Sequence, residues 1–181
     1  MASELALPPL IGPCAIVLVL AAAALDLKSR RIPNWLTLGA WVLALPLQMT
    51  LHGPAHGALG WTSGWLTGFA CFLPFYLLRG MAAGDVKLMA AVGALLGAGM
   101  AFEVALLTFV LGGVWALAMT IRRGRLARLR GNLQFMLFNR GRMDGEQEVD
   151  ANDGPSAWSV GTLPYGAAIA AGTIGVLFAS V

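Results

Sequence analysis

Charged side chains are scarce in this sequence: Asp, Glu, Lys and Arg make up 12% of its 181 residues. A soluble domain carries about twice that share, so an ordinary water-facing surface is excluded. Cysteine is nearly absent. Cys14 and Cys71 both lie in apolar stretches, with neither metal-ligand spacing nor a disulfide framework, and read as packing residues. Histidine is limited to His52 and His56. Gly53 and Pro54 lie between them and interrupt the helix that would put both on one face, and no third ligand is near, so no metal site and no cofactor are expected. The net charge of +3 is too small to suggest nucleic acid. No base precedes the first apolar run, as a secretory signal peptide would require.

What is abundant is apolar. Hydrophobic residues reach 58%, and several runs approach the ~20 residues that cross a hydrocarbon core as a helix. The pattern predicts an all-α, polytopic membrane helical bundle forming one integral-membrane domain over residues 1–181. Its six segments lie at about 10–25, 35–51, 58–78, from just after Asp85 to Met100, 101–121 and 163–181. Ile32-Pro33-Asn34 breaks the chain after the first, because proline disfavours helical geometry in the residue before it. A turn is expected over His52–Gly57. Trp35, Trp61 and Trp65 suit the membrane interface. Gly60, Gly64 and Gly68 recur every four residues, as do Ala90 and Ala94, and Gly93 and Gly97. That spacing lets membrane helices approach closely.

Residues 122–162 interrupt this body. Arg122, Arg123, Arg125, Arg128, Arg130, Arg140 and Arg142 alternate with Leu126, Leu129, Leu133, Met136 and Leu137, a basic amphipathic segment suited to an anionic inner leaflet. The acidic stretch that follows, with Asp144, Glu146, Glu148, Asp150 and Asp153, has the composition of a flexible tether.

All 12 Lys and Arg fall after segment one, around the start of segment four, or after segment five. The positive-inside rule then gives six crossings with both termini outside. Glu4 and Glu103 fall on the outer side, where Glu103 reads as a solvated interfacial residue. Asp26 and Asp85, separated by an out-and-back pair of crossings, both fall at the inner boundary. They are the acids that flank transmembrane helices on that side. Asp85 can serve as a carboxylate complementing a helix N-terminus or as a functional group. Asp26 lies at a helix C-terminal end, where the dipole disfavours it. Two adjacent carboxylates in a poorly solvated site tend to share a proton, which suits them to acid–base hydrolysis of a peptide. A proton relay in a small transporter would use the same pair.

Three motifs resemble the type IV prepilin peptidases, integral-membrane aspartic proteases that trim basic leaders from pilins and pseudopilins. They are Ala83-Gly84-Asp85-Val86-Lys87-Leu88-Met89-Ala90-Ala91-Val92-Gly93, then Asp26-Leu27-Lys28 with Arg31-Ile32-Pro33-Asn34-Trp35-Leu36-Thr37, and Leu163-Pro164-Tyr165-Gly166 with Ala170-Ala171-Gly172. The resemblance implies that Asp26 and Asp85 are catalytic and that Gly84 is the glycine before the second aspartate. Lys28, Lys87, Pro33, Asn34, Pro164 and Tyr165 are expected, with Gly84, to shape the site or bind substrate. Each lysine either anchors to headgroups or crosses to the other segment to stabilise the ionised pair.

Where the family commonly shows Gly-x-Gly-Asp, this chain has Ala82-Ala83-Gly84-Asp85, which puts close backbone approach at Ala82 in question. No paired Cys-x-x-Cys domain is present, so methyltransferase activity is not implied. The compact build looks most like the Tad/Flp-type enzymes. The resemblance implies a prepilin or pseudopilin substrate, membrane lipids and pilus-assembly machinery as partners, and a bacterial inner-membrane location with a cytoplasmic-facing site. A small transporter and a catalytically inactive assembly scaffold are the competing readings.

Overall fold

The computed structural model describes residues 10–29, 32–78, 80–122 and 165–180. Among the described residues six α-helices form in chain order: α1 (Ile11–Ser29), α2 (Asn34–His52), α3 (Pro54–Leu77), α4 (Ala83–Leu96), α5 (Ala98–Arg122) and α6 (Tyr165–Ala179). Among the described residues there is no strand, so the fold is all-α. The α1 helix and the Ala98–Ala118 part of α5 are long and apolar enough to cross a membrane, and α6 is a shorter apolar helix. Except for Arg122, which ends α5, the basic amphipathic segment and the acidic loop lie outside the described residues.

Two boundaries are tighter than the sequence predicts. The turn expected over His52–Gly57 is one residue: Gly53 adopts φ 82° and α3 begins at Pro54. Proline is tolerated at a first helical position, where its missing N–H would have had no partner anyway. The fourth segment ends at Leu96 rather than near Met100, because Gly97, also at φ 82°, turns the chain directly into α5. Positive φ is open to glycine at little steric cost.

Two compact units divide the chain: Met1–Gly112 with Pro164–Val181, and Gly113–Leu163. The first holds α1 to α4, the start of α5, and α6. The described part of the second is the end of α5, where Val114, Trp115, Leu117 and Ile121 are exposed.

Within the first unit α4 is the central element. Every residue from Leu88 to Leu96 is buried, which accounts for a helix that is apolar all round yet short. It packs against α3 through small residues. A Cβ at Gly64 would overlap the carbonyl of Gly93, a Cβ at Gly93 would overlap that of Gly64, and one at Gly68 would meet the backbone of Met89. The four-residue glycine spacing of α3 is therefore a backbone contact surface.

The α2 helix packs on α3 and α4. Trp41 and Trp61 lie 4.8 Å apart between ring centroids, and the Trp61 indole donates to the Trp41 carbonyl at 2.9 Å. Buried Gln48 donates to the Leu95 carbonyl at 2.6 Å. That carbonyl belongs to the last turn of α4, whose acceptors have no partner within the helix. Replacing Gln48 with Leu should lower stability by about 1–3 kcal/mol, because it leaves a buried acceptor unmatched. Thermal unfolding in detergent would measure this, and an unchanged midpoint would show that the bond contributes nothing.

Candidate active site

Three helix ends build the site: the C-terminal part of α1, the N-terminus of α4 and the N-terminus of α6. Asp26 extends from α1 and is half-buried. Asp85 is the third residue of α4 and only 5% exposed. Its Oδ2 accepts a hydrogen bond from the Ala82 N–H at 3.3 Å, so it does complement the start of its own helix. Asp85 also lies within electrostatic reach of Asp26. The helix-start and functional readings of Asp85 are thus compatible.

Asp26 has an unexpected neighbour. The backbone N–H of Gly166, in the first turn of α6, donates to Asp26 Oδ2 at 3.1 Å. The unfavourable end of α1 is thereby offset by the favourable end of α6. Tyr165, the first residue of α6, is half-buried and within electrostatic reach of Asp85. Gly112 of α5 leaves room for its ring, since a Cβ there would lie 3.2 Å from Tyr165 Cε1.

The connection between α1 and α2 covers the start of α4. Ile32 packs over Gly84, where an added Cβ would lie 3.3 Å from Ile32 Cβ. Pro33 is the residue before the first of α2, at φ −70° and ψ 138°. Asn34 Oδ1 accepts from Lys87 Nζ at 3.0 Å. Lys87 therefore crosses to another segment, where it donates to the amide oxygen of Asn34. Lys28 is exposed. Pro164 lies outside the described residues. Ala82 is exposed at φ −79°, a conformation alanine adopts without strain.

Lys87→Met should consequently leave kcat and the pH profile within about twofold of wild type, since an exposed hydrogen bond contributes little. An upward shift in the pH optimum would show instead that the lysine stabilises the ionised pair.

His52 ends α2 and His56 lies in α3, both exposed. Among the described residues no group of three or more His, Cys, Asp or Glu is placed to hold a metal ion. Sequence reasoning assigned no role to Gly166. Its signals are its place in the motif Leu163-Pro164-Tyr165-Gly166 and a poor helix former inside the first turn of a helix, which invites the question of what approaches it.

The fold and the site define a helical protein in which separate helices each supply an acid, one of them held by the start of a third helix. Residues 14–117, a stretch that includes both acids, match the model of the type IV leader peptidase family. The chain belongs to that family, and membership implies aspartic peptidase activity. No curated protein and no solved structure matches the chain.

Proposed function

We propose that this chain is a prepilin leader peptidase: an aspartic endopeptidase that removes the basic leader from type IV prepilins or pseudopilins at the cytoplasmic face of the bacterial inner membrane. The observation that carries this reading is that separate helices, α1 and α4, each contribute an aspartate held by a backbone N–H, Asp26 by Gly166 and Asp85 by Ala82. In the proposed arrangement six helices cross the bilayer with both termini outside, and the acids lie at the inner boundary. The substrate's basic leader stays in the cytoplasm while its apolar stretch enters the membrane beside the bundle. A Tad/Flp-type system is the proposed setting, with lipids and pilus-assembly machinery as neighbours.

In this mechanism the pair shares one proton. The ionised carboxylate takes a proton from water as the oxygen attacks the scissile carbonyl, and the protonated partner donates to the carbonyl oxygen. Collapse of the tetrahedral intermediate breaks the C–N bond. The proton gained from water passes to the leaving amine, and the diol hydroxyl returns one to the pair. Both acids thus finish as they began, and no covalent enzyme intermediate forms.

The test is co-expression with a candidate prepilin, comparing processing by wild type and Asp85→Ala. Leader removal by wild type alone supports the reading. A precursor that stays intact with wild type, or is processed equally by the variant, refutes it.

A further inference from the structure

Asp26 sits toward the C-terminal end of α1, where the dipole disfavours a carboxylate, and one donor it meets comes from α6. Gly166 is the second residue of that helix, so its N–H is one of the four that find no acceptor within the helix. It donates to Asp26 Oδ2 across a separation of 140 positions.

The contact also leaves no room for a side chain. A Cβ at residue 166 would lie 2.8 Å from Asp26 Oδ2, 3.0 Å from its Cβ and 3.2 Å from its Cγ. The obstacle is the short, half-buried carboxylate arm itself, which has one methylene and little freedom to swing aside. Any side chain at 166 therefore displaces the group that the amide holds.

We propose that Gly166 is a positioning residue of the active site: its N–H aims the Asp26 carboxylate, and its missing side chain leaves the space that carboxylate fills. The pair is then fixed by two backbone amides at helix N-termini, Ala82 for Asp85 and Gly166 for Asp26. This rests on the peptidase reading, with Asp26 as a reacting group. Gly166 touches no reacting atom of the substrate; it acts through Asp26.

The experiment uses the full chain in detergent and a prepilin substrate, with kcat, KM and the unfolding midpoint measured for each form. Gly166→Ala should lower kcat by about 100-fold or more while KM stays within about twofold, since a misdirected acid weakens the transition state more than substrate binding. Substituting glycolic acid for Gly166 replaces the N–H with an ester oxygen and adds no side chain. It should lower kcat about 10- to 100-fold, the range for losing a hydrogen bond to a charged group.

Gly175→Ala, on the same helix, meets only the flexible end of Leu107 and should behave like wild type. A kcat within about threefold of wild type in the glycolate form, or a raised KM at constant kcat, overturns the proposal. If Gly166→Ala unfolds, the glycolate form decides the matter. If wild type itself fails to cleave, the peptidase reading falls and this proposal with it; cleavage by wild type and unimpaired variants alike refutes this proposal alone.

Discussion

Asp26→Asn and Asp85→Asn should each lower kcat by about 10²- to 10⁴-fold, the range supplied by a positioned acid or base. Asparagine keeps the size and a carbonyl oxygen, so the Gly166 and Ala82 amides retain an acceptor and the fold should persist. What disappears is the ability to exchange a proton. Because the pair acts as a unit, the double variant should be little worse than the weaker single one. Single-turnover cleavage, with thermal unfolding as the control for folding, measures all three. Full activity in either single variant would eliminate the two-carboxylate mechanism.

The second large effect concerns stability. Gly64 and Gly93 bring the backbones of α3 and α4 together so closely that a Cβ on either would overlap the other's carbonyl. A backbone oxygen in a helix cannot rotate aside, so even alanine must separate the helices. Gly93→Ala should cost about 3 kcal/mol or more, at or above the upper end for overpacking a core. Gly60→Ala provides the contrast, since its nearest neighbour would be Gln48 Oε1 at 3.8 Å, and it should stay within about 0.5 kcal/mol. Comparable unfolding midpoints for the two variants would show that the α3–α4 contact is not tight in the native protein.

Much of this molecule is legible in its sequence, for physical reasons that can be named. Apolar runs separated by Pro, Gly and charge marked each of the helices seen among the described residues, because each must bury or immerse its side chains. The glycine spacing of α3 announced a packing face, and Gly64 and Gly68 are buried there. Fine boundaries were less legible. His52–Gly57 reads as a turn by composition, yet one glycine at positive φ suffices and Pro54 starts the next helix.

Proximity was the larger gap. Charge placement can assign Asp26 and Asp85 to one side of a membrane, but it carries no distance; the folded chain adds that α1 and α4 pack together and that a backbone N–H holds each acid. The partner of Lys87 was equally hidden, since nothing in the sequence couples it to Asn34. Gly166 was hardest to see because its contribution is a backbone N–H, which every residue but proline possesses.

The position of that N–H along the chain bears on biogenesis. Asp26 leaves the ribosome before the amide that holds it, which follows 140 positions later. Both acids are therefore made well before the donor exists. On the proposed role of Gly166, a nascent chain at that stage is a latent hydrolase. Arming then waits for α6 to be made and to pack against α1.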